Sequence, residues 1–228
     1  MSIVDNIINI KQRIQNTCHK IGRDASEITI VAVTKTVPAD AIRLAVQNGI
    51  QHIGENRIQE ADEKFQQLGK IATWHLVGHL QSNKVKKALQ LFDCIQSVDS
   101  LHLAQEISRR IVEGQREVDC LIEVNTSEEA TKYGVAVDGV LNLIKQISLL
   151  PGIRIKGLMT IGAFVPDPEQ VRPGFKLLKE LGNEILKAGV DKVEMKYLSM
   201  GMTNDFEVAI EEGSNMIRIG RAIFGERY

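Results

Sequence analysis

Eight short apolar stretches alternate with amphipathic helical stretches along nearly the whole chain, and few folds can accept that rhythm. The apolar stretches are EITIVAVTK (27–35), HIGEN (52–56), WHLVG (74–78), CIQSV (94–98), DCLIEVN (119–125), RIKGLMT (154–160), KYLSMG (196–201) and MIRIG (216–220). Most are continuously apolar rather than alternating, as strands of a parallel sheet covered on both faces must be. Helical spacing of apolar residues fills the segments between them, ended by Gly49, Gly69, Gly114, Pro151-Gly152 and Gly189. Strand–helix alternation means an α/β fold, and eight repeats favour a closed (β/α)₈ TIM barrel over an open doubly wound sheet. No linker interrupts the pattern, so residues 1–228 read as a single domain. An extra helix over 3–21, with Ser2 as its cap, precedes the first strand and is placed to cover the side where the last helix is short. Asn204 and Glu207 are spaced as a capping box for the helix over 204–213.

Composition narrows the function. At 228 residues the chain is just long enough for a barrel, which typically takes about 250. Aromatic residues are 4%, too few for base-stacking platforms, and the net charge of -1 gives no field to attract nucleic acid or an anionic membrane. Cys18, Cys94 and Cys120 are odd in number and widely spaced, which suits buried thiols in a reducing compartment better than disulfides or a zinc site. The N-terminus has Asp5 and no basic run before an apolar core, so it is no signal peptide. No stretch is apolar for the roughly 18 residues a membrane helix needs. The expectation is a cytoplasmic protein with neither nucleic-acid nor membrane partners.

Chemistry in such a barrel sits at the C-terminal ends of the strands. The first strand exits on Lys35, between Thr34 and Thr36. A lysine there can simply extend into water. Partly buried, it becomes instead an amine of lowered pKa, able to attack a carbonyl. The last two strands exit on SMGMTNDF and RIGRAIFG, placing Ser199, Gly201 and Thr203 before one helix and Gly220 before another. Hydroxyls and free backbone N–H groups there make an anion cradle, a frequent feature after strands seven and eight of a barrel. Neither segment matches a nucleotide-binding glycine motif. Barrel closure makes strand one a neighbour of strand eight. A carbonyl-trapping lysine and a phosphate cradle together suit pyridoxal phosphate, which carries both an aldehyde and a phosphate.

The motifs VAVTKTVP, IGENRIQE, WHLVGHLQSNK, YGV, GLMTIG, SMGMTNDFEVAIEEGSNMIRIG and IFGER run over essentially the whole chain. In them the chain resembles the pyridoxal phosphate homeostasis proteins, the YggS/PROSC family, whose barrel is similar to the N-terminal domain of alanine racemase. The resemblance implies an aldimine of pyridoxal 5'-phosphate on Lys35. It implies phosphate contacts from Ser199, Thr203 and the backbone around Gly220 and Arg221, with Gly201 and Met200 in the same segment. It places Asn56 near the ring and Arg218 at the pyridine nitrogen. Arginine only donates, so it would leave that nitrogen unprotonated and weaken carbanion stabilisation. The racemase has a second domain that brings an opposing tyrosine base; none is expected after the barrel here. The resemblance therefore implies a carrier of the cofactor in intracellular vitamin B6 homeostasis and amino-acid and keto-acid balance, without robust catalysis. It would act as a monomer, with PLP-dependent apo-enzymes as possible recipients. The alternative is a weakly active PLP-dependent racemase or lyase.

Other groups read as follows. His75 and His79 are four apart, which suits a metal only on one helix, but His75 lies within a strand and His79 just beyond it, so no metal site is expected; His79 could line the cofactor mouth. Lys84, Lys86 and Lys87 form either a solvated face or a docking patch. Met159, Met200 and Met202 read as core filling, and Glu55 and Asp99 as a possible carboxylate pair.

Overall fold

The structure is a computed structural model that describes residues 2–114, 116–127, 133–163 and 165–225. Strands β1 (Thr29–Val33), β2 (His52–Glu55), β3 (Thr73–Leu76), β4 (Cys94–Val98), β5 (Val118–Asn125), β6 (Ile153–Met159), β7 (Val193–Ser199) and β8 (Met216–Ile219) pair in chain order, all parallel. β8 closes onto β1, with Val31 level with Arg218. A two-residue bridge, Val135–Ala136, continues the edge of β5. The closed parallel barrel expected from the alternation is the observed fold.

The helices are α1 (Ile3–Lys20), α2 (Ala39–Gln47), α3 (Ile58–Leu68), α4 (Val85–Leu91), α5 (Leu101–Gly114), α6 (Val140–Ser148), α7 (Arg172–Ala188), α8 (Phe206–Glu211) and α9 (Arg221–Phe224). Ser2 caps α1 as expected, in a reciprocal box with Asp5. Ile7, Ile10, Ile14 and Cys18, three and four apart, are buried on one face of α1. That face packs on α2, α8 and α9, so the extra helix covers the side where α8 and α9 are short. Asn6 ties it to the carbonyl of Ile223 at 2.9 Å.

The capping box expected at Asn204 and Glu207 does not form. α8 starts at Phe206, and Asp205 takes the cap position with its carboxylate on the Met202 N–H at 2.5 Å. Glu207 is drawn away by Arg13 of α1, which holds it through two nitrogens at 2.7 and 3.0 Å. A bidentate ion pair outcompetes a single carboxylate-to-N–H bond.

Two cores result. The larger lies between strands and helices; the smaller fills the barrel with Val31, Val77, Cys94, Leu121, Met159 and Met216. Burial pushes the Cys94 and Cys120 thiols up, so they stay protonated, and all three cysteines are free. Gly157 lets β6 and β7 approach. Its φ of 151° lies where side chains are strained, and an added Cβ would run into the Tyr197 carbonyl. Gly157→Ala is expected to cost several kcal/mol and leave little folded protein, a loss of about 4 kcal/mol or more being diagnostic of such a clash. Circular dichroism and soluble yield check it; a variant melting within a few degrees of wild type contradicts it.

Candidate functional site

A cavity of about 350 Å³ opens at the C-terminal face, between the ends of β1 and β8 and the loops after β6 and β7. Its walls are Val33, Lys35, Ala163, Val165, Met202, Thr203, Asn204, Asp205, Arg218, Gly220 and Arg221. Three of these are cations. The single carboxylate, Asp205, is committed to the Met202 N–H. The cavity is therefore built to attract an anion. A larger cavity, about 500 Å³, lies at the opposite, N-terminal face and includes Lys11, Asp24, Thr29 and His52. That end of a barrel serves stability rather than chemistry.

Lys35 is half-buried and presented by a strained turn. The next residue, Thr36, has φ 62°, rare for a β-branched residue. Such a conformation costs about 1–3 kcal/mol and persists only where the surroundings hold it. Here they do. The Thr36 N–H donates to the Glu60 carboxylate. Lys64 of α3 lies 2.7 Å from both Glu60 and Glu55 and donates to the Thr34 carbonyl at 2.6 Å. Thr34 Oγ1 donates to Glu55 at 2.6 Å. Glu55 is fully buried outside the barrel, facing α3; burial is the main influence on its carboxyl and pushes the pKa up. Glu55 thus does not pair with Asp99, which lies beside His79 at 3.6 Å. This Lys64–Glu55–Glu60 cluster was missed at the sequence level. Its signal was an acid inside an apolar strand, plus an acid–lysine pair four apart on the next helix.

Arg218, 4% exposed, stands in the barrel mouth two interior positions below Lys35. It donates to the Ser199 carbonyl at 2.8 Å, to Ser199 Oγ at 2.7 Å and to the Thr160 carbonyl at 2.7 Å. Burial lowers its pKa to about 10, against the pull of Glu123 and Asp205, so it remains a cation at neutral pH. Glu123 of β5 is buried in the same barrel mouth, and burial, reinforced by Asp99, raises its pKa to about 7 while Arg218 opposes. A carboxyl whose folded pKa is raised stabilises the fold at low pH and loses that contribution as pH rises towards 7. Glu123→Gln is therefore expected to match wild type at pH 5 and to melt a few degrees higher at pH 8. Thermal unfolding at both pH values checks it; equal melting at pH 8 contradicts it.

The structure brings Lys35, Thr203, Arg218, Gly220 and Arg221 together around one cavity, and Ala222 N–H reaches Thr203 Oγ1 at 3.4 Å. Gly201 shapes the turn beside them: at φ 94° its Cα faces Phe206 and Ala209 with no room for a Cβ. Asn56 lies at the exit of β2, with its side-chain oxygen buried and without a hydrogen-bond partner. Ser199 and Met200 do not line the cavity. Ser199 lies beneath it, its hydroxyl shared between Arg218 and Gln96, and Met200 is in the outer core. His79 is exposed at the rim, stacked on Tyr133 with ring centres 4.0 Å apart, and is not a wall of the cavity. His75 points into the barrel towards His52 and Gln96 instead. Among the described residues no His, Cys, Asp and Glu cluster could hold a metal ion. Lys87 pairs with Asp62 at 2.7 Å, tying α3 to α4, so the lysine patch is partly structural.

The residues fit an aromatic aldehyde phosphate. The half-buried Lys35 amine, two arginine cations and a threonine hydroxyl line the cavity, and an orphaned buried amide oxygen lies at Asn56, at the exit of the neighbouring strand β2. By fold and site this is a barrel of the alanine racemase class: a family model described as the N-terminal domain of alanine racemase matches residues 8–228. A solved alanine racemase of Clostridium difficile is similar in fold, with TM-score 0.75 and 19% identity over 98% of this chain and 60% of that one. Within the class the relatives are narrower. A pyridoxal phosphate homeostasis protein of Aquifex aeolicus is 40% identical over 100% of this chain and 99% of its own, and that of Escherichia coli is 35% identical over 99% and 97%. The structure of PipY of Synechococcus elongatus with PLP bound has TM-score 0.85 and 31% identity, covering 98% of this chain and 100% of that one. The chain belongs to the pyridoxal phosphate homeostasis protein family.

Among the described residues no helix is long and apolar enough to cross a membrane.

Proposed function

We propose that the chain binds pyridoxal 5'-phosphate reversibly at the C-terminal face and acts in homeostasis of that cofactor rather than as a robust enzyme. The observation that carries the reading is the convergence of Lys35, Arg218, Thr203, Gly220 and Arg221 on one cavity, in a chain whose relatives carry that role in their names. When bound, the cofactor supplies an electrophilic aldehyde and an electron-withdrawing ring. Lys35 supplies the amine that joins it. Thr203, Arg221 and the Gly220 backbone hold the phosphate. Asn56 supplies a polar contact to the ring.

Arg218 donates to the ring nitrogen and cannot accept its proton, which leaves the ring a poor electron sink. The carrier reading is favoured over the racemase-like alternative by the full-length relatives, which are named as homeostasis proteins. Titration of the purified chain with pyridoxal phosphate tests the reading. A saturable near-visible band with one equivalent of covalent adduct after borohydride reduction is expected. A chain that stays colourless contradicts binding, and turnover of D- or L-amino acids at ordinary enzyme rates contradicts the carrier role.

A further inference from the structure

A file of buried polar side chains runs through the barrel from Arg218 to the opposite face. Arg218 donates to Ser199 Oγ at 2.7 Å, and Ser199 Oγ meets Gln96 Oε1 at 2.7 Å. Gln96 Nε2 lies 2.9 Å from His75 Nδ1, and His75 Nε2 lies 3.0 Å from His52 Nδ1. Ser199, Gln96 and His75 are 0%, 0% and 3% exposed, while His52 is only partly buried and borders the N-terminal cavity.

The direction of every bond follows from one end. A guanidinium only donates, so the Ser199 oxygen accepts from Arg218 and its proton goes to Gln96. Gln96 must then offer its oxygen upward and its NH₂ downward. His75 must accept at Nδ1, carry its proton on Nε2 and donate to His52, which carries its own proton on Nε2. Reversing the Gln96 amide would put a second donor on the Ser199 oxygen and leave the hydroxyl proton without an acceptor.

We propose that Gln96 and His75 are positioning residues for Arg218: His75 accepts from the Gln96 amide and so holds its oxygen towards Ser199, whose hydroxyl receives the guanidinium under the cofactor cavity. This rests on the proposed cofactor reading for its consequence, not for its wiring. Burial lowers the His75 pKa to about 3, so the ring stays neutral and keeps one nitrogen free to accept. The file links four strands, β8, β7, β4 and β3, with β2 at its far end, and none of its members except Arg218 touches the cavity.

Two measurements on the full chain test the proposal. In the unliganded protein, long-range proton–nitrogen spectra of the histidine rings should show His75 protonated on Nε2; protonation on Nδ1 overturns the wiring. Titration with pyridoxal phosphate then reads the consequence. His75→Leu and Gln96→Met should each weaken binding about tenfold, the worth of one buried hydrogen bond to a charged group, and shift the absorption maximum of the bound form. His75→Asn keeps an acceptor for the Gln96 amide near the Nδ1 position and should stay within about twofold of wild type, with an unshifted band. Wild-type binding and spectrum in His75→Leu, or equal impairment in His75→Asn, overturns the proposal. Should His75→Leu not fold, Gln96→Met reads the same link. Should the wild type bind no pyridoxal phosphate, the cofactor reading falls, and the ring spectra still decide the wiring.

Discussion

Lys35→Ala will leave the chain folded and colourless in pyridoxal phosphate. The side chain is half-buried at a strand exit and lines an open cavity, so truncation leaves no closed void in the core. Thermal unfolding should move by only a few degrees, since Lys64 and Glu60 hold the backbone on either side of it, at Thr34 and Thr36. The amine, however, is the one group proposed to join the aldehyde covalently. Its loss should remove the near-visible band and the borohydride-trapped adduct altogether, and lower affinity by about 100-fold, leaving phosphate and ring contacts alone. Lys35→Arg should behave similarly, because a guanidinium keeps its charge and is no nucleophile. An intact band in Lys35→Ala, measured by absorbance and intact mass, would falsify the assignment of the anchor.

The second large effect lies outside the cavity. Lys64→Met should drop the melting temperature by about 10 °C, because breaking a buried ion pair typically costs about 3–5 kcal/mol and each kcal/mol moves a chain of this size by about 2–4 °C. Lys64 is 7% exposed and Glu55 is 0% exposed, and Glu55 Oε2 has no hydrogen-bond partner, so little else can take up the charge left behind. Glu55→Gln in the same chain should restore at least half of the loss, because it removes that charge. Lys64→Met should also weaken pyridoxal phosphate binding, since the Lys64–Glu60 pair is part of what holds Thr36 at φ 62° next to Lys35. Calorimetry of the single and double variants, with a cofactor titration of each, separates the two effects. A melting temperature within about 2 °C of wild type contradicts the first, and unchanged affinity contradicts the second.

Much of this was legible beforehand. The apolar runs and their helical intervals declare a closed parallel barrel. Cations in and just after apolar strands, Arg218 and Lys35, stand out because the core has no use for them. Lys35, Thr203, Arg218, Gly220 and Arg221 do converge on one cavity. Ser199 was legible as a polar exit but not its orientation: one residue of strand end decides whether a hydroxyl faces the cavity or the arginine beneath it. Met200 alternates to the outer face, as the residue after an inward Ser199 must. The expected cap at Asn204 failed because its partner, Glu207, is claimed by Arg13, almost two hundred residues away in sequence.

What the sequence by itself determined is the kind of object this is. Local hydrophobic period, strand length and turn residues set the order of elements, and that order admits little besides a barrel with its chemistry at one end. The tertiary structure alone decided which side chains share a level inside that barrel. The stagger of parallel strands, not their spacing in the chain, brings Arg218, Ser199, Gln96 and His75 into one file and sets Lys64 behind the turn that presents Lys35. Such contacts depend on pairwise geometry across closed strands, which no local pattern encodes.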